Sequence, residues 1–75
     1  MNEEFALTVG QRLRAYRLRS GHTQESAARA IQLPAMVFSR MERGKLLPTP
    51  WLLVELCQLL GVSADTLLGL STADH

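Results

Sequence analysis

Residues 23–45, reading TQESAARAIQLPAMVFSRMERGK, hold two short helical patterns with almost nothing between them. The break around Gln32–Leu33–Pro34 has room for a tight turn and no more. Two helices joined so closely must cross at a steep angle and share one core, a helix-turn-helix arrangement. That unit fixes the middle of the chain, and the flanking segments have to pack around it.

The flanks are also punctuated as helices, and no stretch alternates with period two long enough to be a strand. A first helix is expected from Glu4 or Thr8 to Arg19, with Val9, Leu13 and Tyr16 facing inward and Gly21 supplying the stop. A second starts at the N-cap Thr23, with Glu25 in its first turn, and ends near Ala30 or Ile31. The third runs from about Pro34 to Glu42 or Arg43 and stops at Gly44. The fourth has Thr49 as N-cap with Pro50 at its first position, where a missing N–H costs nothing, and it ends at Gly61. Ser63 caps a fifth, with Val62 and Leu67 spaced as a hydrophobic staple, ending near Gly69. The expected fold is all-α, a compact five-helix bundle with a central helix-turn-helix. It forms one domain over residues 1–75, with a core of about 7–69 and a loose tail at 70–75.

A chain of 75 residues buries only about 60% of its unfolded surface, so packing must be efficient or subunits must associate. One cysteine, Cys57, excludes an internal disulfide and a cysteine-based zinc site, and it suits a reducing, cytoplasmic setting. On the apolar side of its helix it reads as core packing. The acidic start MNEEFALTVG is not a secretory leader, and no apolar run approaches the length of a membrane span. No metal or cofactor set can be assembled.

Charge is distributed unevenly. The net +1 divides into −2 over residues 1–11, +6 over 12–45 and −3 over 46–75. A basic block between acidic ends is the distribution of a protein with one face on a polyanion, although a solvated helix face has it too. At 100° per residue, the third helix turns Val37, Phe38 and Met41 to one side and Met36, Ser39, Arg40 and Arg43 to the other. Arginine pairs bidentately with guanine or phosphate, serine reaches phosphate or base edges, and Ala35 or Met36 can touch a thymine methyl. No nucleophile, general base or metal cluster lies on this face, so an enzyme is not expected. Arg12, Arg14 and Arg19 read as a solvated face and His22 as an exposed loop residue.

The ordered set Gly10, Arg17, Thr23-Gln24-Glu25, Ala28, Ser39, Glu42, Gly44 and Pro48, closed by Leu60-Gly61-Val62-Ser63, resembles the phage-repressor (Cro/C1, or Xre-type) helix-turn-helix domains. The resemblance covers about residues 7–69. It implies the lambda repressor-like fold and a sequence-specific regulator, by default a repressor or autoregulator, acting on double-stranded DNA. It places the recognition helix, about 34–43, in the major groove. By position it implies base contacts from Ala35, Met36 and Arg40, and backbone contacts from Gln24, Ser39, Arg43 and Lys45. It also implies an ion pair between Arg17 and Glu42. The chain departs from the pattern at four places. Gln32 stands where glycine is usual and, if left-handed, costs about 1 kcal/mol. Pro34 replaces the capping hydroxyl and is expected at the first helical position. Ala27 replaces a leucine. Ala35 and Met36 lack the polar groups that read bases, so specificity is expected from Arg40, methyl contacts and DNA shape.

The fourth helix is too apolar for its place. Leu53, Leu56, Cys57 and Leu60 suffice for the core, yet Trp51, Leu52 and Leu59 form a further side next to Glu55. That side is a candidate homodimer interface, unless residues 1–8 fold over it. The rival to a DNA-binding regulator is a protein-interaction module of the same fold, with Ala35, Met36 and the fourth helix facing a protein partner.

Overall fold

The computed structural model describes residues 3–70; the tail from 71 onward, expected to be loose, lies outside them. Five helices follow in order: α1 (Glu3–Arg19), α2 (Gln24–Ala30), α3 (Ala35–Glu42), α4 (Pro50–Leu60) and α5 (Ala64–Leu68). Among the described residues there is no strand.

Local chemistry sets most of the helix ends. Thr49 accepts from the Leu52 amide at 3.3 Å ahead of Pro50, and Ser63 accepts from the Thr66 amide at 3.0 Å. Thr23 is the N-cap of α2, but its reciprocal partner is Ser26 rather than a glutamate. The Thr23 hydroxyl accepts from the Ser26 amide at 3.0 Å, and Ser26 Oγ accepts from the Thr23 amide at 3.1 Å. Gly61 and Gly69 end α4 and α5 in the left-handed conformation.

The core is aliphatic apart from Phe38. Leu13, Phe38, Met41, Leu56 and Leu67 are fully enclosed, with Ala27 and Ala28 bringing α2 in under α3. α1 packs on α3 and α5, α2 on α3, and α4 on α5. Ala27, where a leucine is usual, has a side chain completely removed from solvent. Val9 and Leu13 face inward as expected, whereas Tyr16 is half-buried with the Arg19 guanidinium 5.1 Å from its ring centroid.

The α1–α3 crossing depends on Gly10. A Cβ there would lie 2.6 Å from the Met41 carbonyl oxygen and closer still to that of Glu42, so any side chain would push the helices apart. Gly44 has φ +75°, which turns the chain out of α3, and its missing side chain admits Leu7 of α1. The turn between α2 and α3 places Gln32 at φ 60°, the left-handed position that its replacement of glycine implied. The Gln32 and Leu33 amides donate to the carbonyls of Arg29 and Ala28, so the turn is tight and hydrogen-bonded.

Several expectations are corrected here. Pro34 is the N-cap of α3, not its first helical residue: ψ is 141°, and the helix begins at Ala35, without a side-chain cap. The first turns of α1 do not cover the outer side of α4. They lie against residues 43–47 and the end of α5. His22 is half-buried, with Nδ1 2.9 Å from Ser26 Oγ. Arg12 is half-buried rather than part of a solvated face; it lies over α5, with Nη1 3.5 Å from the Thr66 carbonyl and Nε 3.0 Å from where a Cβ on Gly69 would stand.

Candidate nucleic-acid interface

The expected ion pair exists and is the hub of the structure. Arg17 Nη2 donates to Glu42 Oε1 at 3.1 Å, and Arg17 Nε donates to Oε2, with both side chains buried. Arg17 Nη1 donates to the His22 carbonyl at 2.9 Å. One guanidinium thus joins the end of α1, the loop before α2 and the end of α3. A bidentate pair of this kind fixes geometry more than it adds net stability, because both charges have left water.

Glu42 accepts a third hydrogen bond, from a second partner. Gln24 Nε2, at the first position of α2, donates to Glu42 Oε1 at 2.8 Å. The sequence resemblance assigned Gln24 to a phosphate, with no sign that its amide is already held from inside. A glutamine nitrogen carries two protons and one is engaged, so the second remains for an outside acceptor. The half-buried Gln24 side chain is therefore oriented before any ligand arrives.

The opposite side of α3 is open. Phe38 and Met41 are buried, while Arg40, Arg43 and Lys45 are exposed and Ser39 is half-buried. Met36 is 72% exposed, so it stands out from the helix rather than folding back on the core; Ala35 is half-buried and leans on it. The Arg43 Nε lies 3.4 Å from the Ser39 carbonyl, which directs its guanidinium along the helix. Arg43 and Lys45 border a shallow cleft across from Glu3. The result is a cationic surface toward the end of α3, with Arg40 on the helix, Arg43 at its C-cap and Lys45 just beyond, opposite an inner side held in the core.

α4 presents a different surface. Leu56 and Leu60 are buried, Leu53 and Cys57 half-buried. Burial pushes the Cys57 thiol up from its ordinary value, which disfavours the reactive thiolate. Trp51 is 69% exposed, and Leu52, Glu55 and Leu59 beside it are half-buried. Val54 extends the exposed apolar side and was missed in the sequence; its place on the helical wheel, about 60° from Trp51 and about 40° from Gln58, was the available signal. No group of three His, Cys, Asp or Glu suited to a metal occurs among the described residues, and no helix there is long and apolar enough to cross a membrane.

Two short helices, α2 and α3, joined by the tight turn at Gln32 and Leu33 and braced by the buried Arg17–Glu42 clasp, make a helix-turn-helix domain. The chain belongs to that family: residues 8–70 match the family model described as a helix-turn-helix domain. It is 36% identical to the uncharacterised HTH-type transcriptional regulator YazB of Bacillus subtilis (strain 168), over 77% of this chain and 84% of that protein. Two solved structures are similar. The restriction-modification controller protein C.AhdI from Aeromonas hydrophila superimposes with a TM-score of 0.77 at 27% identity, covering 83% of this chain and 94% of that one. The DNA-binding domain of BldD gives 0.78 at 32% identity, covering 89% and 97%.

Proposed function

We propose that this chain is a sequence-specific regulator of transcription that binds double-stranded DNA with α3 in the major groove. The observation that carries the reading is the set of exposed cations at the outer end of α3, Arg40 on the helix with Arg43 at its C-cap and Lys45 just beyond, on a helix whose inner side is locked by Arg17 and Glu42. Arg43, Lys45, Ser39 and the free amide proton of Gln24 engage phosphates and supply most of the affinity. Ala35, Met36 and Arg40 approach base edges. The names of the relatives, a transcriptional regulator, a controller protein and a DNA-binding domain, support the same assignment. The chain acts by binding rather than by catalysis, in the cytoplasm, and represses or autoregulates its target genes.

The domain measures 31 × 26 × 20 Å, and successive major-groove faces lie about 34 Å apart, so one copy reads one half-site. A homodimer would read two. The outer side of α4, with Trp51, Val54, Leu52, Glu55 and Leu59, is the surface we assign to that contact, because a large exposed aromatic among apolar neighbours is what subunit interfaces bury.

A gel-shift against genomic fragments at two salt concentrations tests the reading. Salt-sensitive, sequence-preferring retention is expected; no retention at low salt would overturn it. Sedimentation of Trp51→Glu against wild type tests the dimer, which the substitution should dissociate while leaving the helical content unchanged.

A further inference from the structure

The first turn of the recognition helix offers a base pair nothing to hydrogen-bond with through its side chains. From Leu33 to Phe38 the chain reads Leu, Pro, Ala, Met, Val, Phe, and the first polar side chain is Ser39. Met36 nevertheless projects outward, 72% exposed, one turn ahead of Arg40 on the same side of α3. Pro34 is exposed beside it, and Ala35 is half-buried. In the major groove the bulky apolar feature of a base edge is the C5-methyl of thymine; cytosine has only a C5–H at that place, and the remaining edge groups are donors or acceptors. A flexible, polarisable thioether side chain suits contact with such a methyl, and it leaves a bare donor or acceptor unsatisfied.

Resting on the DNA-binding reading above, we infer that Met36 is the specificity-determining residue for 5-methylpyrimidines. It selects thymine at the base pair facing the first turn of α3, and accepts 5-methylcytosine there in preference to cytosine. Arg40, one turn later, reads guanine independently. The half-site is therefore read through a methyl group and a guanine edge in succession. The exposure of Met36 gives it no part in the core, so replacing it leaves the fold intact.

The test uses the full chain and a duplex recovered from a random-sequence pool by binding selection. Each thymine of that duplex is replaced singly by deoxyuridine, which removes only the methyl. One position in each half-site should lose about fourfold in affinity, the value of one buried methyl-sized group, while thymines elsewhere show no change. At that position 5-methylcytosine should bind about fourfold more tightly than cytosine. Met36→Ala should abolish both differences and leave the guanine preference in place. Equal affinity for thymine and deoxyuridine at every position would overturn the inference, as would an undiminished difference in Met36→Ala. Selective, salt-sensitive binding with no methyl effect overturns this inference alone, whereas failure to retain any duplex at low salt overturns the DNA-binding reading with it.

Discussion

The inner side of α3 is held by contacts with no latitude: Phe38 and Met41 enclosed, Glu42 clasped by Arg17 and Gln24, and the backbone so close to Gly10 that a methyl group would not fit. The outer side of the same helix carries Met36 and Arg40, with Arg43 at its C-cap, all extended into solvent. Eight residues thus combine a rigid mounting with a surface held ready for something else. The difference teaches that the two sides answer to different measurements. Changes on the inner side should appear as lost folding, and changes on the outer side as lost binding with the fold intact.

The largest effect is expected from Phe38→Ala. Removing the one aromatic ring of the core should cost about 3–5 kcal/mol, most of the stability a domain of this size has, and thermal melting by circular dichroism would show it. Arg17→Met should destabilise by about 3–5 kcal/mol, because it leaves Glu42 buried without its cation. The double substitution Arg17→Met with Glu42→Leu should recover much of that loss; if it does not, the pair contributes net stability and not only geometry. On the outer side, Lys45→Ala and Arg43→Ala should each leave the melting temperature nearly unchanged and reduce the salt dependence of DNA binding by about one ion per protomer. A large fall in melting temperature there would erase the distinction between the two sides. The smallest effect belongs to Gln32→Gly, which should stabilise the fold by about 1 kcal/mol by relieving a left-handed side-chain-bearing residue, as read from chemical denaturation.

Much of the fold was legible because it depends on local chemistry. Thr23, Thr49 and Ser63 cap their helices by accepting from an amide three residues on, Pro50 follows its cap at no cost, and Gly61 and Gly69 end theirs in the left-handed conformation. Pro34 shows the limit of that reasoning. Its ring fixes φ equally well at an N-cap or at the first helical position, and only ψ, set by how the turn packs, distinguishes the two. Arg12 was misread because its partner, Thr66, is 54 residues away and is brought to it only by tertiary packing, whereas His22 meets Ser26 just four residues on, a local contact that its place before an N-cap did not announce. The two-sided character of α3 was visible at helical spacing, and the Arg17–Glu42 pair came from the family pattern. That Glu42 also holds the Gln24 amide was not visible, since it requires the ends of α2 and α3 to meet.

The contrast between the two sides of α3, and between α3 and α4, is tested most directly by mapping backbone amide shifts of the labelled protein as a selected duplex is added. Changes should concentrate at Met36, Ser39, Arg40, Arg43 and Lys45, with Gln24 at the start of α2, and should be small along Trp51, Val54 and Gln58. Changes concentrated on the outer side of α4, with α3 unmoved, would contradict the assignment of α3 as the DNA-reading helix.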